Sequence, residues 1–318
     1  MDNITRQRLA AGIDGLIDDI TSKKLDRFAP IAQEHSLATT LQDAWELRVQ
    51  RAAAGLRHLG GGIFGSLPSA DEVMRVLTSQ LSGDAIHGMI SPVVRSPIQE
   101  TFDMALASVD AMFKKQTGKE IAKKDFVGPG FGLIFGLTEQ HALEALTNQL
   151  IVSAGGYFDQ QLSDSIKKQI EDILATSTSR DRAIKAIENL VNDKLSINGI
   201  NALPTSYFDN LATHQIVRSR NIGSIYQASS VGSKSYTLIN PRDTRTSPVC
   251  LAVTNGQVFH MADALSVAEG LIGARTMQDL RSVQPFARQG SDIGKGPVPP
   301  LHWPKCRTWM NWIFAGLG

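Results

Sequence analysis

Apolar residues recur at three- and four-residue spacing through most of the first two hundred positions, a period that restricts this stretch to helices packed on one another. Leu9, Ile13, Leu16, Ile17 and Ile20 fall on one helical face. Leu37, Leu41, Ala44, Trp45, Val49, Ala52, Leu56 and Leu59 form a second stripe, which Gly60, Gly61 and Gly62 end. Gly65, Pro68, Gly83, Gly88, Pro92 and Pro97 punctuate the next segment of chain and predict shorter helices there, such as Asp71–Leu81 and Ile98–Phe113. Gln160–Ala175 carries the stripe Leu162, Ile166, Ile170 and Ile173, and Ser179–Lys194 carries Ala183, Ile184, Ile187, Leu190 and Val191. The hydroxyl residues Thr176–Ser179 between them supply N-cap chemistry. Pro204–Ala228 predicts a further helix, containing His214, Arg218 and Arg220.

A charged helix end at Lys119–Lys124 runs into a glycine-rich apolar segment from Asp125 to Gly136. It lacks the preceding strand and the Lys-Ser/Thr pair of a phosphate-binding loop, so it reads as a flexible connector or an insertion into a partner. Thr138 is then placed to cap a long amphipathic helix running through Leu150 and beyond, with Glu139 in its first turn.

The texture changes after Ala228. Lys234–Ile239 has the β-branched and aromatic character of a strand, which Asn240-Pro241 stops. Leu251–Thr254 and Gln257–Phe259, joined by Asn255-Gly256, predict a hairpin, because Asn-Gly accepts the positive φ of a tight turn. A helix near Ala262–Leu271 precedes a polar Gly/Pro-rich loop from Gln289 to Pro300. The fold class expected is therefore α+β, a predominantly helical N-terminal region followed by a small mixed α/β domain.

With 42% hydrophobic and 20% charged residues, and no apolar run near the roughly 20 residues that span a bilayer, the composition points away from a membrane protein. The opening residues lack a signal-peptide core, so export is not expected and the two cysteines are expected to stay reduced. Asn201–Gly318 holds 11 Lys+Arg against 6 Asp+Glu, a local excess of about +5 that favours weak polyanion contacts rather than a dedicated DNA-binding domain. Arg218, Arg220, Arg242 and Arg281 are the candidate phosphate contacts, with Arg275 and Arg288 beside them.

Two islands carry the chemistry, Asp243–Phe259 and Pro299–Thr308. They bring Cys250, His302 and Cys306 together as a thiolate–imidazole–thiolate donor set of the kind zinc takes, one ligand short of a closed site. Asp243, His260 or a water is the candidate fourth ligand. Two core thiols without metal, or a disulfide formed outside the cell, are the alternatives. Asp243 and Arg245 are expected to form a local ion pair at the strand–loop junction.

The residues Asp243, Arg245, Thr246, Pro248, Cys250, Gly256, Pro300, His302, Cys306 and Arg307 resemble the signature of the Mu F-like phage head morphogenesis family. The similarity covers about Leu137–Thr308, lies mainly in residues 211–308 and is specific from His214 onward. Two departures stand out: Ser247 sits where many relatives have a first cysteine, and three residues separate His302 from Cys306 where relatives more often have two.

The resemblance implies a minor head protein of the virion, inside the capsid, made in the host cytoplasm and associated with the portal and packaged DNA. The same resemblance implies a role in head morphogenesis and DNA ejection, with scaffold or capsid proteins and copies of itself as expected partners. On this reading residues 1–125 are a helical portal- or partner-interaction region, 126–200 a glycine-rich connector with a helical hairpin, and 201–318 the Mu F-like α/β domain. The alternative is an effector delivered with the DNA, either metal-dependent or similar to ADP-ribosyltransferases. A transferase of that type needs a glutamate on a strand, and Glu269, the one Glu after Asn201, falls in an expected helix. A non-enzymatic protein is the expectation.

Overall fold

A computed structural model describes residues 31–60, 66–121, 132–197, 204–244, 246–303 and 306–314. The expected helix at Leu9–Ile20 and the positions Gly61, Gly62 and Arg245 lie outside the described residues. The architecture is mostly helical, with one small antiparallel sheet in the C-terminal region.

The helices are α1 (Ile31–Gly60), α2 (Ala70–Leu81), α3 (Gly83–Thr117), α4 (Gly132–Tyr157), α5 (Ser163–Thr176), α6 (Arg180–Lys194) and α7 (Pro204–Ser230). A π-helical turn, Phe158–Leu162, joins α4 to α5. Ser69 starts α2 through a capping box with Glu72, and Ser179 caps α6 by accepting the Arg182 amide. The stripe of α1 packs on α2, α3, α6 and α7, and Trp45 is its centre. The Trp45 indole N–H donates to the Leu195 carbonyl at 2.6 Å, at the end of α6.

The chain between Gly83 and Thr117 does not break into short helices. It forms one helix of 35 residues that passes through Gly88, Pro92 and Pro97. Ile86, Ile90, Val94, Ile98, Phe102, Ala105 and Val109 follow one another at three- or four-residue steps and are all buried. Burying each large side chain is worth about 1.5–3 kcal/mol, and the row together outweighs the roughly 3 kcal/mol that an interior proline costs. The Thr101 hydroxyl donates to the Pro97 carbonyl at 2.7 Å. Gly118, at φ 72°, closes the helix by returning its amide to the Lys114 carbonyl.

The glycine-rich segment also differs from expectation where it is described: Gly132–Gly136 is already helical, so Thr138 lies inside α4 rather than at its start. Nor is α4 amphipathic. Ala142, Leu143, Ala145, Leu146, Leu150, Ile151 and Ala154 are buried around much of its circumference, with Thr147, Gln149 and Ser153 buried among them. A helix apolar on most sides is a central helix, and α4 lies against both α3 and α7.

The C-terminal part contains β1 (Ser235–Ile239), α8 (Pro248–Val253), β2 (Phe259–His260), α9 (Met261–Gly273), α10 (Met277–Val283), a 3-10 turn at Gly290–Asp292, and β3 (Trp309–Ile313). The sheet order is β2-β1-β3, antiparallel throughout, with Tyr236 opposite both Phe259 and Trp312. The expected hairpin is replaced: Leu251–Val253 belongs to α8, and the central strand's main partner is β3. Ser247 accepts the Cys250 amide and Pro248 occupies the first turn, a helix start that buries Val249, Cys250 and Val253 together. Gly256 does adopt positive φ, 85°, but its turn joins a helix to a strand.

A second core of Tyr236, Leu238, Cys250, Phe259, Cys306, Met310 and Trp312 fills the space between sheet, α8 and α9. Val109 of α3 and Ile225 and Ala228 of α7 enter the same core, so these two long helices run from the helical body into the C-terminal part. Among the described residues no helix is long and apolar enough to cross a membrane.

Candidate metal centre

Cys250 is held by α8, while His302 and Cys306 come from the segment that leads into β3. Packing of α8 beside that segment places the Cys250 and Cys306 sulfurs 3.8 Å apart. The donor atoms of Cys250, His302 and Cys306 all lie within 4.8 Å of one another, and among the described residues these three form a possible metal-binding cluster. Both cysteines are free and buried; His302 is half-buried.

The surroundings favour a charged sulfur. The Cys250 thiol lies well below the usual thiol range because Cys306 hydrogen-bonds to it, with further support from His302, Ser247 and Thr308 against the cost of burial. Cys306 is pushed up, first because its proton is held by Cys250 and second by burial. Its sulfur nevertheless accepts the Leu301 amide at 3.3 Å. A recess of about 10 Å³ lies beside Cys250 and His302, walled also by Asn240, Ser247 and Arg307.

Asp243 does not join the cluster. Its carboxylate is gripped by the Arg307 guanidinium at 2.8 and 2.5 Å and also accepts the Thr246 hydroxyl. Arg307 is thus an ionic partner of Asp243, while the expected pairing with Arg245 falls on a residue outside the described ones. His260 is exposed at the start of α9 and is not among the clustered donors.

The candidate phosphate contacts separate into two groups. Arg218 is buried and hydrogen-bonds to Gln215 and Gln284, and burial lowers its pKa to about 10. Arg220 is half-buried, with its guanidinium over the Trp309 ring at 4.8 Å and its pKa also lowered to about 10 by burial. Arg218 is therefore interior, while the Arg220 guanidinium is engaged by an indole ring. Arg242 is exposed, its guanidinium donates to the Thr254 carbonyl and its backbone holds φ 49°. Arg275, Arg281 and Arg288 are exposed. Glu269 lies in α9, on an open pocket with His141 and Glu144.

Sequence reasoning missed the aromatic group that flanks the cluster. His214 is 2% exposed and packs against Trp303 at 4.4 Å and Phe286 at 5.0 Å between ring centroids. The one signal for it was an indole one position after His302. Burial, with Arg218 as the next cause, lowers the His214 pKa well below its usual value.

No protein-family model, curated protein or solved structure matches this chain.

Proposed function

We propose that this chain is a phage minor head protein of the capsid interior, a non-enzymatic component that attaches to the portal and to packaged DNA during head morphogenesis and takes part in DNA ejection. The observation that carries the reading is the meeting of the two islands on which the family resemblance rests. Asp243 is paired with Arg307, and Cys250 lies against Cys306 and His302, so residues more than fifty positions apart form one unit. That unit ties α8 to β3.

The donor set of the unit suits zinc, which Cys250, His302 and Cys306 would hold. In a tetrahedral site with Zn–S bonds of about 2.3 Å, two thiolates stand about 3.8 Å apart, which is the separation of the Cys250 and Cys306 sulfurs. A disulfide would need about 2.05 Å. Cys250, His302 and Cys306 supply three ligands, and the recess beside them has room for about one water as the fourth. When bound, the ion supplies a cross-link between α8 and the segment before β3. Cys250 and Cys306 would hold it as thiolates, with the Leu301 amide donating to the Cys306 sulfur.

The test is co-expression with the portal protein encoded by the same genome. Co-purification at a fixed stoichiometry is expected. A chain that elutes alone, with no affinity for the portal, overturns the reading.

A further inference from the structure

A cavity of about 690 Å³ opens beside the cysteine–histidine cluster, and its walls include Trp303, Phe286, Arg281, Arg288, His302 and Ser247. The volume is in the range of small-ligand sites. Phe286 and Trp303 are 39% and 38% exposed, and they are the aromatic members of the exposed large hydrophobic side chains described. Both belong to this one cavity. Large aromatic surface left in water is unfavourable, and its concentration beside two cations points to a ligand with a flat ring and a negative charge.

The rings are held in place before any ligand arrives. Their centroids are 6.1 Å apart at an interplanar angle of 38°. Buried His214 packs against both, and Tyr207 lies 6.0 Å from Trp303. The two arginines are exposed at the same opening. Asp292 faces Arg288 and accepts the amides of Arg288 and Gln289, which offsets part of that charge and leaves Arg281 the stronger anion contact.

We infer that this cavity binds a nucleobase together with its phosphate, the base stacked on Trp303 and Phe286 and the phosphate held by Arg281 and Arg288. The same chemistry is offered by a free nucleotide and by one unit of a single strand. A duplex hides the faces of its bases and does not offer it. Stacking accepts any base, so the site discriminates flexible from paired nucleic acid rather than one sequence from another. The inference does not depend on portal attachment.

The experiment is fluorescence anisotropy of the full chain with labelled oligothymidylate of about twelve nucleotides, within the usual site sizes, at low salt. Trp303→Leu is expected to weaken binding about 5- to 150-fold, the range for losing one stacked base. Arg281→Gln is expected to weaken it and to reduce the slope of log affinity against log salt by about 0.7. Both residues are exposed, and an unchanged melting midpoint shows that the fold is kept. Competition by thymidine monophosphate at similar concentration assigns the site to free nucleotides; binding by the oligonucleotide alone assigns it to single strands. Either result upholds the cavity. No binding by the unaltered chain, affinity unchanged in both variants, or duplex bound as tightly as single strand overturns the inference.

Discussion

The guanidinium of Arg307 grips the carboxylate of Asp243 with two hydrogen bonds across 64 residues of sequence. One partner precedes α8 and the other precedes β3, so the pair closes the C-terminal part from outside while Cys250 and Cys306 close it from within. The side chains are 27% and 35% exposed, and water screens part of their attraction. Asp243→Asn or Arg307→Ala is expected to lower stability by about 1 kcal/mol. Arg307→Lys recovers little of this, because an ammonium cannot make the paired contact. Urea midpoints and an Asp243→Ala/Arg307→Ala double-mutant cycle measure it.

Metal content separates the ligands from their neighbours. Elemental analysis of protein purified under reducing conditions should give about one zinc per chain, held by the two thiolates and the imidazole. Cys250→Ser and Cys306→Ser should abolish it. Asp243→Asn should leave it intact, since that carboxylate is occupied by Arg307. Zinc lost from the Asp243 variant would place the carboxylate in the coordination sphere, contrary to the geometry described.

Trp45 is the test of the helical core. It is 1% exposed and stacks edge-on with Tyr157 at 5.6 Å. Trp45→Ala is expected to cost about 3–5 kcal/mol. Trp45→Phe costs less, but it leaves the Leu195 carbonyl without its indole donor, worth about 1–3 kcal/mol for a buried group. Thermal unfolding followed by circular dichroism ranks the two.

Gly296 sits at φ 67°, where a Cβ would fall 2.3 Å from the Cβ of Asp263 in α9. Gly296→Ala therefore meets both a backbone penalty and a clash with a helix. A loss of about 2 kcal/mol or more is expected, against almost none for Gly294→Ala, where a Cβ meets open space. Equal melting points for the two variants would contradict this packing.

His214 makes stability depend on pH. Its pKa is lowered by burial, so the unfolded chain takes up the proton first. Stability from the neutral ring is present above the usual histidine value of 6.5, declines as the pH falls below it, and stops declining once the folded-state value is passed. His214→Phe should flatten the slope of unfolding free energy between pH 6.5 and 5 (roughly the upper part of that window). A slope unchanged by the substitution would remove His214 as its source.

Local patterns identified most helices because their signals are local. The stripe of α1, the cap at Ser179 and the strand at Ser235–Ile239 follow from neighbours within a few positions. Pro92 and Pro97 misled because a local penalty was overruled by burial along α3. The hairpin at Asn255-Gly256 misled because Ser247 and Pro248 start a helix just before it. Strand β3 and helix α10 were not anticipated: Trp309–Ile313 is a short, mainly apolar run near the end of the chain, and its pairing partner lies some seventy residues earlier.

The sequence by itself determined the helical body, the α+β class and the three sulfur and imidazole donors, since residue type and period are written along the chain. Tertiary structure alone decided that Asp243 pairs with Arg307 and that Arg218 is interior. It also decided that Trp303, Phe286 and Arg281 share a cavity. These are outcomes of which distant segments pack together, and a carboxylate or a guanidinium carries no mark of its partner until packing has removed the water between them.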